Sequence, residues 1–431
     1  MSSKKILIIA HFFEPCNVIA AHRPKSWAKT LVQAGHEVEV ITRHWDGTEK
    51  NWDEYLGENL SPVKEVMHPD GYKIIYHPFK KSFFQRLNDH KLIKPSKLFR
   101  FAVELKAHLL GRIDYDRDAY SNYYPFLNQL FSRQKFDVVI STSGPYISLK
   151  LASFLKKKHN FIWFADFRDV WNNELLKSNP KDQLRRNRIR FFFHQFHIKS
   201  WLKRVDFILS CSEGFDPVFK SIAPNKEVIM VKNGFESKLY ENYEAQALSK
   251  FTILCLGTLY QEQDKKHFFE AVKNLIKERG TDDIEIKFIG AKINPAVAQE
   301  ITDNIDSKVL VLTDFVDRKI ALQETINAHL LFYPVWTGYK GIYSGKIFEY
   351  LGSKRNILVL PKDHSVLDNL LEQTNAGRSF DSVPQCSDHL VQLFDEWKKN
   401  GKVLYHGKLE EIEQYTRESQ SQIVANKINK L

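Results

Sequence analysis

Residues 5–42 read KILIIAHFFEPCNVIAAHRPKSWAKTLVQAGHEVEVIT, and this stretch decides the fold. The run KILIIA is short and apolar, which is typical of a buried strand. In HEVEVIT, polar and apolar residues alternate, which predicts a second strand. Between them, Pro24 suits the first turn of a helix and Gly35 suits its left-handed C-terminal cap. A strand, a helix and a strand at this spacing predict a parallel βαβ unit.

The same pattern continues along the chain and then begins a second time. Further apolar runs lie at residues 136–142, 160–166, 205–212 and 227–234. After a polar segment, five more runs lie at residues 251–257, 284–290, 308–315, 328–334 and 356–361. We therefore expect an α/β protein with two doubly wound, Rossmann-like domains, at residues 1–240 and 251–405. In the remaining segment, 406–431, residues 409–431 are predicted to form one amphipathic helix.

Length and composition agree with this organisation. The 431 residues exceed a usual domain of roughly 100–200 residues, and 43% hydrophobic with 27% charged residues is typical of a globular protein. The first apolar run is too short for a signal peptide, and no stretch approaches the ~18–20 apolar residues of a membrane span. These features predict a cytoplasmic protein. The four cysteines are far apart and lack metal-site spacing, so no metal centre is expected.

Positive charge is concentrated in the first half of the chain. Residues before 246 include 39 Lys and Arg against 27 Asp and Glu, whereas the rest have 24 against 25. The segments 80–126 and 184–204 are both basic and aromatic, and the second has seven cations and no acid. Such a helix can lie on an anionic membrane surface, or it can pack into the core with its basic face solvated. Nucleic acid is a less favoured partner, because the basic residues of a protein that binds it should follow a continuous groove.

The strongest candidate site is the segment YSGKIFEYLGS at residues 343–353. Open parallel sheets bind ligands beyond the carboxyl ends of their strands, and this segment follows the run 328–334. Ser344 and Gly345 would begin a helix whose free N–H groups suit a diphosphate, and Lys346 would add a cation. Glu349 lies one turn later on the same face and could accept hydrogen bonds from sugar or ribose hydroxyls. An ordinary surface ion pair is the alternative.

This segment resembles the donor-binding motif of family-four retaining glycosyltransferases of the GT-B fold, in which two glutamates are separated by seven residues. Glu349 matches the second glutamate, which binds the ribose of the nucleotide sugar in that family. Gly341 replaces the first, which contacts the transferred sugar, and this change leaves the sugar open. The resemblance implies two domains facing across a cleft and a nucleoside diphosphate sugar as co-substrate, with no other cofactor.

Other segments resemble the same family over nearly the whole chain. In the second domain, LGTLYQEQDKKHFFEAV is similar to the diphosphate loop, which places Gly257 and Thr258 at the donor site, with Lys265 or the adjacent Lys266 as the cation. The segment VLTDFVDRKIAL resembles the loop beside the nucleotide base and points to Phe315 and Val316. The last helix resembles the one that crosses back to brace the first domain in this fold.

In the first domain, the opening HFFEPCNVIAAHR resembles the family's first loop, where Asn17 stands in place of a usual glycine. Arg23 could reach the donor diphosphate or the acceptor, or it could lie on a helix surface. We assign both Asn17 and Arg23 to the acceptor side. The segment ADFRDVW resembles the stretch near the reacting sugar, so Arg168 and Asp169 join Lys346 as candidate catalytic residues. A structural ion pair between Arg168 and Asp169 is the alternative.

These features predict transfer of a sugar from a nucleoside diphosphate donor to a glycan or lipid-linked saccharide, in polysaccharide or glycoconjugate synthesis. The resemblance implies retention of configuration without a metal ion, the donor phosphate accepting the acceptor's proton. Lys346, Lys265 and loop N–H groups would stabilise the departing diphosphate. The basic first half predicts docking at the inner face of a membrane. The competing hypotheses are a catalytically inactive GT-B scaffold and a nucleic-acid-binding protein.

Overall fold

A computed structural model of the chain describes residues 2–16, 18–49, 52–55, 57–80, 105, 109, 120–171, 173–176 and 188–431. The predicted acceptor-side residue Asn17 lies outside these ranges. So do most of the basic aromatic segment 80–126 and the first residues of the segment 184–204. The chain divides into two units, Met1–Lys232 with Ser421–Leu431, and Asn233–Gln420.

The first unit is built on one eight-stranded sheet. Its strands are β1 (Lys5–Ile9), β2 (Glu37–Arg43), β3 (Lys64–Met67), β4 (Lys73–His77), β5 (Val138–Thr142), β6 (Ile162–Phe167), β7 (Phe207–Ser210) and β8 (Glu227–Met230). Their order in the sheet is β3-β4-β2-β1-β5-β6-β7-β8. Only β3 is antiparallel to its neighbour. The first βαβ unit is therefore parallel, as predicted.

Helices cover this sheet. They are α1 (Ile19–Gln33), α2 (Trp52–Tyr55), α3 (Tyr123–Arg133), α4 (Ile147–Lys156), α5 (Arg188–Leu202) and α6 (Asp216–Ile222), with short 3₁₀ turns at Asn173–Leu176 and Glu213–Phe215. Pro24 lies inside α1 and not in its first turn, contrary to the prediction. Ala20 and Ala21 are strong helix formers, and Ala21 is buried, so the helix begins upstream of the proline.

The second unit is built on a six-stranded, fully parallel sheet. Its strands are β9 (Phe251–Leu256), β10 (Ile284–Ile289), β11 (Leu310–Thr313), β12 (Leu330–Tyr333), β13 (Asn356–Val359) and β14 (Gly377–Ser379). They lie in the order β11-β10-β9-β12-β13-β14. The helices are α7 (Lys238–Glu241), α8 (Lys266–Arg279), α9 (Pro295–Asn304), α10 (Arg318–Asn327), α11 (Gly345–Gly352), α12 (Val366–Thr374), α13 (Val383–Asn400) and α14 (Leu409–Glu413).

Every predicted strand is present, and the predicted α/β class with two parallel-dominated sheets is confirmed. The prediction missed β3, β4 and β14. The strand β3 is mostly exposed and pairs at the sheet edge, so it lacks a buried apolar run. The strand β14 has only three residues, Gly-Arg-Ser, which is too short for a periodic pattern.

The C-terminal segment forms two helices, and the prediction of a single helix was wrong. The helix α14 ends at Glu413, and α15 (Arg417–Asn429) begins after a break. At this break, Phe235 donates its N–H to the Tyr415 carbonyl and accepts one from Arg417. These bonds and the Thr416 hydroxyl, which accepts the Ser419 N–H at 3.1 Å, satisfy groups that a continuous helix would use internally.

Apolar side chains build the cores of the two units. The β1 residues Ile6, Leu7 and Ile8 are fully buried, and Val424 and Ile428 of α15 belong to the same core cluster as Ile6 and Ile8. Two further clusters cover the two faces of the second sheet. Within the described ranges, none of the helices combines the length and the apolar character that crossing a bilayer requires.

Candidate functional site

The helix α11 follows β12 in the second unit after the loop of residues 334–344, which leaves the carboxyl end of that strand. Its first turn is anchored by Tyr333, whose hydroxyl accepts the Ser344 N–H at 3.1 Å and lies 3.0 Å from the Ser344 Oγ. Ile347, Phe348 and Leu351 are buried and hold the helix against the sheet. The N–H groups of a helix's first turn have no partner within the helix. The Ser344 N–H already donates to Tyr333, so Gly345 at the first position of the helix presents the backbone donor, with the positive end of the helix dipole, at the sheet edge.

Lys346 extends from this first turn toward the loop after β9. Its Nζ donates to the Thr258 carbonyl at 2.6 Å, and burial of the ammonium group lowers the pKa of Lys346. The neighbouring Gly257 has a φ of +84°, and a Cβ there would lie 3.0 Å from the Lys346 Cε. Glycine is therefore required at position 257 for both backbone and space. The structure thus brings the predicted residues Gly257, Thr258, Ser344, Gly345 and Lys346 together.

Phe315 follows β11 and lies on the opposite side of Gly257 and Gly290 from Lys346. Its side chain is 61% exposed, and a Cβ on Gly290 would lie 3.0 Å from the Phe315 ring. The next residue, Val316, is partly buried and packs against the core cluster that includes Phe348. Phe315 is therefore an exposed aromatic surface beside the glycines, whereas Val316 supports the loop from behind.

Glu349 lies on the partly buried face of α11 between two arginines. Its Oε1 is 3.9 Å from the Nη2 of Arg318, which begins α10, and 3.9 Å from the Nη2 of Arg417. The Tyr240 hydroxyl donates to the Glu349 backbone carbonyl at 2.9 Å. An i,i+3 ion pair with Lys346, the alternative raised by the sequence, does not form, because the Lys346 ammonium contacts Thr258.

Lys265 is placed differently from the prediction of a cation available to a diphosphate. The residue is 1% exposed, and its Nζ donates to the carbonyls of Tyr260 at 3.0 Å and Gln263 at 2.8 Å. A third contact, 3.3 Å, joins it to the Glu300 carboxylate. A buried ammonium needs such partners to offset its desolvation. Lys265 therefore fixes the loop after β9 from the inside.

Arg23 in the first unit also differs from its prediction as a ligand-contacting residue. Its guanidinium is buried and donates to the Asp166 carboxylate, with Nη2 2.8 Å from Oδ1. Nη1 donates to the Lys232 carbonyl at 2.8 Å, and Thr142 donates to the Asp166 Oδ2. Charged groups rarely remain buried without such pairing, so this is a structural ion pair at the carboxyl end of β6.

Arg168 and Asp169 follow β6 in the first unit. Arg168 is partly exposed, and its guanidinium donates to the carbonyls of Ser143 and Gly144 at 2.9–3.0 Å. Gly144 has a φ of +83°, and a Cβ there would clash with the guanidinium. Asp169 is exposed, and its backbone carbonyl accepts the Tyr146 hydroxyl at 3.0 Å. The two side chains form no ion pair among the contacts of the described residues, although desolvation by the surrounding protein raises the pKa of the Asp169 carboxyl and the Arg168 charge opposes that rise.

One cavity of the second unit is separate from this sheet edge. It has a volume of about 470 Å³ and lies at the C-terminal end of α11, where Leu351, Gly352 and Arg355 line it. The helix N-terminus that carries Ser344 and Lys346 is at the opposite end. Among the described residues, no group of His, Cys, Asp and Glu side chains has an arrangement that could hold a metal ion.

Comparison with solved structures decides the fold. Sucrose-phosphate synthase from Thermosynechococcus elongatus aligns over 99% of this chain and 98% of its own, with a TM-score of 0.63 and 10% identity. OtsA aligns over 100% of both chains, with a TM-score of 0.61 and 12% identity. Anabaena HepE in complex with UDP and glucose aligns over 99% and 100%, with a TM-score of 0.59 and 10% identity. These neighbours are GT-B proteins. The chain has the GT-B fold.

The match confirms the GT-B fold that the resemblance implied, and identities of 10–12% support the fold alone. No protein-family model and no curated protein sequence matches the chain. Within this GT-B chain, sequence reasoning missed the groups that surround Glu349. Arg318 had a local signal, because it follows the predicted loop residue Phe315 closely. Tyr240 and Arg417 are distant in sequence, and no local pattern marks them.

Proposed function

We propose that this GT-B chain is a glycosyltransferase that uses a nucleoside diphosphate sugar as its donor. The observation that carries the proposal is the N-terminus of α11, where backbone donors, the Lys346 ammonium and the Gly257 turn meet. A diphosphate needs this combination of close backbone approach, oriented N–H groups and positive charge. The solved structure of HepE contains UDP and glucose, which supports UDP as the first nucleotide to test.

Most of the predicted donor residues have a role in this proposal. Ser344, Gly345 and Lys346 bind the diphosphate, and Gly257 with Thr258 allows it to approach the backbone. Glu349, oriented by Arg318 and Arg417, accepts hydrogen bonds from the ribose hydroxyls. Phe315 stacks on the base, because its ring is exposed beside the glycines. Lys265 contributes indirectly, by holding the loop after β9 in place.

The reaction breaks the bond between the sugar's anomeric carbon and the diphosphate oxygen and forms a new bond to the acceptor hydroxyl. The diphosphate leaves with the bonding electron pair, and Lys346 with the N–H groups of α11 stabilises its charge. The acceptor's proton passes to a diphosphate oxygen on the same face of the sugar, which gives retention. Arg168 and Asp169 position the acceptor in the first unit, and no metal ion takes part.

Calorimetry with UDP and UDP-glucose tests the donor site. Glu349→Gln should weaken both ligands by about tenfold or more, because hydrogen bonds to a charged acceptor contribute about 1.5–3 kcal/mol. The matched control is Glu372→Gln, an exposed glutamate on α12. Unchanged affinity in Glu349→Gln would contradict the ribose assignment. An inactive scaffold would bind UDP-glucose but release no UDP when mixed with saccharide acceptors.

We further propose that the acceptor is a glycan or lipid-linked saccharide and that α5 docks the protein on an anionic membrane, in polysaccharide or glycoconjugate synthesis. Phe192 and Phe196 are 64% and 59% exposed, and Lys199 and Lys203 are also exposed. The spacing of Phe192, Phe196 and Lys199 places them on one side of α5, and Lys203 follows directly after the helix. Ile198 and Leu202 on the other side are buried. The helix therefore packs into the unit and also presents an aromatic, basic surface suited to anionic lipid headgroups.

Vesicle flotation tests this surface. Vesicles of phosphatidylglycerol and phosphatidylcholine should carry the protein upward at moderate salt, whereas pure phosphatidylcholine vesicles should not. Replacing Phe192 and Phe196 together with serine should abolish flotation. Leu60→Ser, at another exposed apolar residue of the first unit, is the matched control. Equal flotation of both variants would exclude α5 as the docking surface.

A further inference from the structure

Two aromatic rings form a stacked pair in the loops that follow the neighbouring strands β9 and β12. The ring centroids of Tyr260 and Trp336 are 5.3 Å apart with an interplanar angle of 29°. Tyr260 is 47% exposed, and Tyr339 meets Trp336 edge-on at 6.4 Å. These loops lie at the carboxyl edge of the second sheet, where GT-B α11 also begins. An aromatic surface is thus presented beside the proposed diphosphate site.

The backbone around this pair is rigidly held. Thr337 donates its N–H to the Glu262 carbonyl at 2.8 Å, and Asp264 donates to the Val335 carbonyl at 2.8 Å. Gln263 and Trp336 form an isolated antiparallel bridge. The buried ammonium of Lys265 holds the Tyr260 carbonyl at 3.0 Å. The two loops are therefore joined to each other, and a ring fixed in this way loses little conformational entropy when a ligand stacks on it.

The order of groups along the sheet edge indicates which part of a bound nucleotide sugar would lie near Tyr260 and Trp336. The strands lie in the order β11-β10-β9-β12, so Phe315 after β11 and Trp336 after β12 are at opposite ends of this stretch. The glycines Gly290 and Gly257 lie between them, with the Lys346 side chain against Gly257. Glu349 contacts Arg318, on the Phe315 side. A nucleotide bound with its base at Phe315 and its diphosphate at Lys346 directs its sugar toward Tyr260 and Trp336.

Gly341, in the loop after β12, has no side chain that could contact a sugar. Its φ is +72°, a left-handed conformation that disfavours any residue with a Cβ. The loop after β12 therefore does not provide a carboxylate at this position for the sugar hydroxyls. In addition, the indole Nε1 of Trp336 is buried without a hydrogen-bond partner among the described residues.

We infer that Tyr260 and Trp336 determine sugar recognition in this chain by stacking on the C–H face of the transferred pyranose. This inference rests on the proposed donor site and adds the part that holds the sugar. It predicts donors whose ring presents a continuous C–H face, because an aromatic ring attracts C–H groups and offers no partner to axial hydroxyls on that face. The nucleotide and the diphosphate are bound elsewhere, so the pair acts on the sugar alone.

Calorimetry of paired ligands separates these contributions. The probes are UDP and UDP-glucose, and the variants are Tyr260→Ala and its matched control Tyr260→Phe, which keeps the ring. Tyr260→Ala should weaken UDP-glucose by about three- to tenfold and leave UDP within about twofold, since stacking is a modest interaction. Tyr260→Phe should bind both ligands like the wild type. Because Tyr260 is half exposed, the alanine variant should fold, which circular dichroism checks.

The outcomes distinguish this inference from the proposed function. If Tyr260→Ala weakens UDP and UDP-glucose equally, or neither, the aromatic pair does not recognise the sugar and the inference is overturned. If the wild-type chain binds UDP-glucose no more tightly than UDP, the inference fails, but the proposed nucleotide site is unaffected. If no nucleoside diphosphate or its glucose conjugate binds the wild type, the proposed function fails and the inference fails with it.

Discussion

The guanidinium of Arg23 and the carboxylate of Asp166 form an ion pair inside the first unit, with Nη2 and Oδ1 2.8 Å apart. The pair joins α1 to the end of β6, and Arg23 also reaches the Lys232 carbonyl at the end of this unit's first segment. Both side chains are buried, so neither charge is screened by water. The interaction serves stability, and its removal should have a large effect.

Replacing Arg23 with methionine should reduce the free energy of unfolding of the first unit by about 3–5 kcal/mol, because Asp166 is left as an unpaired buried charge. Urea denaturation followed by tryptophan fluorescence measures this change. Lys25→Met on the same helix is the control. Lys25 pairs with Glu14 at the surface, where such a pair contributes at most about 1 kcal/mol. Similar losses of unfolding free energy in the two variants would contradict a larger contribution from the buried Arg23 pair.

The affinity for UDP should depend on pH through Lys346. Burial lowers the pKa of the Lys346 ammonium below its usual value, so the free protein loses this charge at a lower pH than an exposed lysine would. A bound diphosphate favours the charged form, and affinity should therefore fall as pH rises through the lowered pKa. Calorimetry between about pH 7 and 9.5 checks the trend. In Lys346→Met, binding should be weak and its pH dependence lost.

Stability should show the opposite dependence for the same residue. Because the folded chain binds this proton less tightly than the unfolded chain, the Lys346 contribution to stability rises with pH above the lowered pKa. Without ligand, Lys346→Met should therefore unfold at the same temperature as the wild type or higher. A marked fall in the unfolding temperature of this variant would mean that the Thr258 hydrogen bond outweighs the desolvation of the ammonium group.

Restoring a glutamate at position 341 should not restore the sugar contact of the resembling family. Gly341 has a φ of +72°, and a side chain there is strained by about 1–2 kcal/mol. Gly341→Glu and Gly341→Ala should both lower the free energy of unfolding by about this amount, as measured by urea denaturation. Lys340→Ala, the preceding exposed residue, should change it little. A gain in UDP-glucose affinity specific to Gly341→Glu would contradict this prediction.

Lys265→Met should loosen the loop after β9. The lost bonds to the Tyr260 and Gln263 carbonyls leave buried acceptors unpaired. Hydrogen exchange of residues 258–264 should therefore become faster, and UDP-glucose should bind more weakly than to the wild type. The neighbouring exposed Lys266 provides the control, since Lys266→Met removes a charge without breaking these bonds. Unchanged hydrogen exchange of these residues in Lys265→Met would contradict the proposal that Lys265 fixes the loop.

The sequence by itself determined the central strands of both sheets and the α/β class. Apolar runs such as KILIIA and FTILCLG become buried central strands, because a parallel sheet covered on both faces accepts only such segments. The segment SGKIFEYL begins a helix after a strand for equally local reasons, and its residues meet the glycine loop as predicted. The repetition of these local signals predicts two doubly wound α/β domains, and the comparison with solved structures shows the GT-B fold.

Only the tertiary structure decided which charges are available to a ligand. Arg23 and Lys265 are cations beside apolar runs, as Lys346 is, and no local pattern shows that Asp166 and the loop carbonyls engage the first two. The partners of Glu349 come from residues as distant as Tyr240 and Arg417. The physical reason is that desolvation and pairing depend on neighbours in space. Strand order, which differs from sequence order, determines those neighbours.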